Sequence, residues 1–158
     1  MREEDVVAFV GALPGVELLT ASPESGAPEV AWGDHFFYYD PERILPADRR
    51  MPFATIVVKD YPGFDTASDL DRDGVFRVNV AVGRQVFEGL FSYPPAAQAE
   101  HHGDHDYAAL DRVLPHPVYA TQGWISVLNP ASATAGQLRD LLTGAHARAA
   151  ARYRRPTG

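Results

Sequence analysis

The sequence predicts an α+β fold: one antiparallel sheet of four to six strands, with the N- and C-terminal helices on one of its faces. Three observations predict it. Residues 3–13 and 134–153 each repeat apolar side chains at helical spacing, so each presents one stripe for burial. Between them lie short β-branched and aromatic runs separated by turns rich in Pro and Gly. The 158 residues fit a single domain, 1–158, with one core, so both stripes have to lie on the same sheet.

The first helix spans residues 3–13. Glu3, Glu4 and Asp5 suit the positive end of its dipole, Val6, Phe9, Val10 and Leu13 form its apolar stripe, and Pro14-Gly15 ends it. Val16–Thr20 follows as a strand, then a polar turn at 22–26. The aromatic run Val30–Tyr39 predicts a pair of strands joined by a tight turn at Gly33-Asp34. Residues 40–52 read as a loop with three prolines. Phe53–Lys59, apolar almost throughout, is the clearest central strand.

Asp60–Asp73 reads as a second long loop. In Gly74–Val80, Val75 and Arg77 alternate with Phe76, Val78 and Val80 in the period of two that marks a strand. Residues 83–91 predict a short helix, 92–106 a loop, and 107–114 a second short helix. Gly123–Leu128 is a strand that Asn129-Pro130 breaks. Thr134 and Gln137 then form a capping box, leading a helix with Leu138, Leu141, Leu142, Ala145 and Ala149 on one face.

Composition narrows the function. Hydrophobic residues make up 46% and charged residues 22%, an ordinary globular balance. With no cysteine, disulfides, thiolate metal sites and cysteine nucleophiles are excluded. No run reaches the roughly twenty apolar residues of a membrane span, and the acidic start lacks a signal-peptide pattern, so the expected location is cytoplasmic. The net charge of −7 argues against nucleic acid as a partner. Arg148, Arg152, Arg154 and Arg155 cluster against that balance and read as a solvated helix end and tail.

Three groups of residues are candidates for chemistry. The first is Glu100–Asp106, where His101, His102, Asp104 and His105 are ligand types for a divalent metal, with His116 or His35 as partners from elsewhere. The plainer reading is a solvated polar loop. The second is Asp69–Gly74, which opens like a calcium loop but has Val80 where the twelfth-position glutamate belongs, so it reads as an acidic turn. The third is Arg77 with Asn79, two apart and so on one strand face, with Trp124 as a further ligand-binding candidate. That pair suits an anion or carboxylate, or structural contacts to the aspartate-rich loop. Trp32, Tyr38 and Tyr119 are further candidate pocket aromatics.

The segment Asp111–Tyr119, the strand Gly123–Val127 and the final helix with Leu138, Leu141-Leu142 and Ala145-His146 resemble the end of YjbR/MmcQ-like proteins. Val30–Tyr39 and Phe53–Lys59 are similar to earlier strands of those chains. Gly74–Val80 with Val86-Phe87 and Leu90-Phe91 resembles, more closely, a family of uncharacterised actinobacterial proteins. The resemblance implies a frataxin-like two-layer α+β sandwich and little chemistry, with no catalytic residues to carry over; YjbR-like proteins are often labelled DNA-binding. The leading expectation is a binding or interaction domain without evident catalysis, for a small molecule or a protein. The alternatives are a metal-dependent enzyme using the His101–Asp106 loop and a weak DNA-binding protein.

Overall fold

A computed structural model describes residues 1–46 and 49–154 of the chain. Six strands form one fully antiparallel sheet: β1 (Val16–Thr20), β2 (His35–Tyr39), β3 (Ala54–Val57), β4 (Arg77–Ala81), β5 (Val113–Pro115) and β6 (Trp124–Leu128), in the order β1-β2-β3-β4-β6-β5. The helices are α1 (Glu3–Gly11), α2 (Arg84–Phe91), the single turn α3 (Gln98–His101) and α4 (Ala135–Arg152).

Strand alternation sorts the side chains into two layers. Ala54 and Ile56, Val78 and Val80, and Ile125 and Val127 face one side, where they join Val6 and Val10 of α1, Phe87 of α2, and Leu138, Leu142 and Ala145 of α4 in the main core. The predicted placement of both terminal helices on one face is therefore correct. Thr55, Arg77, Asn79, Trp124 and Ser126 face the other side, which no helix of the described residues covers. There the loop 60–75 lies against the sheet, its Leu70 packed with Val57, Leu114 and Leu128 in a small second core.

His35 of β2 ties α1 to the sheet: its Nε2 is 2.8 Å from Glu3 Oε2 and its Nδ1 2.8 Å from Thr20 Oγ1. Gly123 starts β6 at φ +82°, and an added Cβ would sit 3.1 Å from the backbone of Gly83, so this crossing needs glycine.

Four local expectations are corrected. Val30–Tyr39 is not a hairpin. Pro28 leads a 3-10 turn over Glu29–Ala31, and β2 takes β1 as its partner. The Gly33-Asp34 corner is held by the fully buried Asp34, which accepts from Val58 N–H at 3.0 Å and from the Tyr61 hydroxyl. Residues 107–114 do not form a helix; they end in the short edge strand β5, paired with β6. The 92–106 loop contains a helical turn at Gln98–His101, flanked by 3-10 turns. Finally, Thr134 makes no side-chain cap to its own helix. The Asp111 carboxylate instead holds the turn that leads into α4, from 20 residues upstream: it accepts from Ala131, Ala133 and Thr134 N–H at 2.8–3.1 Å and from Thr134 Oγ1 at 2.7 Å. Those bonds hold its pKa below the ordinary carboxylate value.

Candidate functional site

On the uncovered face a row of polar side chains crosses three adjacent strands. Asn79 of β4 is in register with Thr55 of β3 and Ser126 of β6, so all three stand side by side. Asn79 donates from Nδ2 to Thr55 Oγ1 at 3.0 Å, and its Oδ1 accepts from Ser126 Oγ at 2.8 Å. Arg77, two residues along β4 on the same face, donates from Nε to that Oδ1 at 2.8 Å.

The Arg77 side chain is the largest one wholly buried, at 1% exposure. Burying a guanidinium requires a counter-charge, and the aspartate-rich loop supplies it. Arg77 Nη1 donates to Asp65 Oδ1 at 3.0 Å and Nη2 to Asp65 Oδ2 at 2.6 Å, a bidentate pair, while Ser68 Oγ accepts from Nη1 at 2.9 Å. Burial would raise the Asp65 pKa, but the Arg77 hydrogen bonds and charge outweigh it and the net shift is downward. His116, held between Pro115 and Pro117 at the end of β5, completes the group. Its Nε2 is 3.4 Å from Arg77 Nη2, and its Nδ1 accepts from Val118 and Tyr119 N–H at 3.0 Å each. Burial first, then the Arg77 charge, pull its pKa down to about 3, so the imidazole is neutral.

Of these groups Thr55, Asp65, Arg77, Asn79 and His116 form the floor of a cleft of about 460 Å³. Phe36 and Val57 extend the floor, and Trp124 and Tyr61 stand at its sides. At the mouth Phe64 and Tyr119 are 57% and 37% exposed, with ring centroids 6.1 Å apart, and Met51 is 76% exposed. Exposed apolar side chains gathered round a concave opening are the usual mark of a binding site.

The structure thus brings together Arg77, Asn79, Trp124, Tyr119 and His116, all named from the sequence. Arg77 makes the structural contacts to the aspartate-rich loop, and both Arg77 and Asn79 line the cleft. Sequence reasoning missed Thr55, Asp65, Ser68 and Ser126. A signal existed for two of them, because Thr55 and Ser126 are the polar breaks in otherwise apolar strands. Trp32 and Tyr38 are placed elsewhere. The Trp32 indole donates to Ala27 O at 2.9 Å, and the Tyr38 ring carries the Arg50 guanidinium 4.2 Å from its centroid.

The histidine loop packs in the helix layer and is built around tyrosines. His101 stacks on Tyr93 at a centroid distance of 4.0 Å and bonds Asp104 at 3.0 Å. His105 Nε2 lies 2.9 Å from the Tyr93 hydroxyl, and His102 stacks on Tyr107. Buried Gln98 bridges the two tyrosines at 2.7 and 2.9 Å. Glu100, His102, Asp104 and Asp106 are exposed, as the solvated-loop reading expects, while His101 and His105 are half-buried against the tyrosines; the histidines do not converge with His116, which sits on the other face. Among the described residues no three His, Cys, Asp or Glu side chains gather to hold a metal ion. The Asp69–Gly74 turn is tied internally: Asp60 Oδ1 accepts from Leu70 N–H at 2.8 Å and Asp71 Oδ1 from Asp60 N–H at 3.1 Å.

Arg148, Arg152 and Arg154 line a second, open cleft with Arg49 at the end of α4; Arg155 lies outside the described residues. No helix among the described residues is long and apolar enough to cross a membrane.

No curated protein and no solved structure matches the chain. Over its residues 1–158 it matches, and so belongs to, the family of unknown function DUF6194.

Proposed function

We propose that this chain is a binding domain that takes a small, largely apolar molecule into the cleft on the uncovered face of its sheet. One observation carries the reading. An aromatic-rimmed cavity of about 460 Å³, the size of a site for a drug-sized molecule, opens over a floor of buried polar groups already held in place. The floor residues are fixed by side chains from three strands and one loop, so the site is formed before anything binds. Among the described residues that line the cleft there is no serine or cysteine, and the Thr55 hydroxyl accepts from Asn79 Nδ2. Binding without catalysis is accordingly the reading supported. A YjbR-like kinship belongs to the same proposal, supported by the Trp124 strand that leads into α4.

The test uses isopropylbenzene as an apolar probe, followed by amide and indole NMR shifts. Saturable shifts are expected at Trp124, Tyr119 and Phe64. They should disappear in Gln122→Trp, where an exposed residue lining the cleft is replaced by one that fills it. Absence of saturable binding, or shifts that survive Gln122→Trp, would overturn the reading.

A further inference from the structure

We infer that the floor of the cleft selects a ligand bearing one neutral oxygen acceptor, a ketone, ester or amide carbonyl, and that Arg77 and His116 together bind that oxygen. The inference rests on the cleft being the binding site.

The argument is a count of protons. Arginine has five N–H donors and no acceptor. In Arg77 the Nε proton goes to Asn79, the two Nη1 protons go to Asp65 and Ser68, and one Nη2 proton goes to Asp65. The fifth, on Nη2, faces His116 Nε2 at 3.4 Å.

His116 is unable to accept it. Its Nδ1 takes hydrogen bonds from two backbone N–H groups, so that nitrogen carries no proton. A neutral imidazole has one proton, which therefore sits on Nε2 and makes it a donor. Two donors thus face each other, on side chains only 1% and 3% exposed, and neither has an acceptor among the described residues. The neighbouring acceptor Asn79 Oδ1 is filled by Arg77 and Ser126. No hydrogen bond joins His116 to Asp65, whose two oxygens hold the guanidinium.

A single oxygen with two lone pairs placed against both N–H groups satisfies them at once, and a carbonyl has that geometry. Charge decides against an anion. The Arg77 cation is already neutralised by Asp65, so a carboxylate would meet that aspartate with no free cation to offset it. The apolar side chains of Phe36, Val57 and Trp124 then select the rest of the ligand. A water oxygen fits the same place, and a ligand carbonyl would replace it.

Three probes of similar size separate the possibilities: acetophenone, isopropylbenzene and benzoate, titrated against the full chain by NMR. Acetophenone should bind at least about tenfold more tightly than either of the others, the effect of satisfying two buried donors. Long-range proton–nitrogen spectra should show His116 protonated on Nε2, with that resonance shifting on addition of acetophenone. In His116→Phe, acetophenone should fall to the affinity of isopropylbenzene. If that variant does not fold, the wild-type probe series and the tautomer decide alone. Equal affinity for acetophenone and isopropylbenzene overturns the acceptor while leaving the cleft as a binding site. Tighter benzoate binding overturns the neutral ligand, a proton on Nδ1 overturns the donor pair, and failure of all three probes overturns the cleft itself.

Discussion

At the scale of single residues, the buried Arg77–Asp65 pair joins the aspartate loop to the sheet, and its loss should be costly. Arg77→Met leaves the Asp65 carboxylate buried without its cation, an effect of about 3–5 kcal/mol by urea unfolding. Adding Asp65→Asn to that variant should recover part of the loss, and a double variant no better than the single one would refute the pairing account. His116 gives a pH signature. Its pKa falls from the ordinary 6.5 to about 3 on folding, so between those values the unfolded chain binds the extra proton. The stability that its neutral burial contributes is therefore fully present above about pH 6.5 and lost as pH falls toward 3. The slope approaches about 1.4 kcal/mol per pH unit. Asp65, lowered on folding, acts in the same direction at lower pH. Unfolding measured from pH 7 to 4 should be steeper in wild type than in His116→Phe.

At the scale of elements, the ends of α4 and β6 are set by residues remote from them in sequence. Asp111, at φ +54°, holds the turn before α4 across a 20-residue gap, so Asp111→Ala should loosen the entry to that helix. Hydrogen exchange at Ala133–Gly136 should quicken while the middle of α4 stays protected. Unchanged exchange there would remove that anchoring role. Gly123→Ala forces a side chain into a left-handed conformation and against Gly83, and should cost about 1–3 kcal/mol. In contrast, Gly103 has open space around a Cβ and no positive φ, and alanine there should be near neutral.

At the scale of the whole molecule, the two faces of the sheet divide the labour. The helix face carries the main core, and Leu138→Ala, at a fully buried α4 position against it, should cost about 2–5 kcal/mol. The other face keeps a smaller core at one end and leaves the cleft beside it. This division was largely legible from the sequence. Val6, Val10, Leu138 and Leu142 repeat at the helical period, and Val78 and Val80 at the strand period, because burial on one face imposes a period on any regular element. Arg77 and Asn79 stood out for the same reason, as polar residues placed where the period of two puts them on one face.

The sequence by itself determined β1, β3, β4 and β6, the two long helices, their common side of the sheet, and the Arg77/Asn79 face as a place of interest. Periodicity and turn chemistry are local, and local signals survive without coordinates. Only the tertiary structure decided that Asp65 and Ser68 reach Arg77, that Asp111 holds the turn before α4, and that His116 belongs to the cleft while His101, His102 and His105 pack on Tyr93 and Tyr107. Each of those is a contact between segments whose separation in the chain carries no period. The partner of a buried charge or an uncapped helix end is chosen by what the fold brings within hydrogen-bond reach.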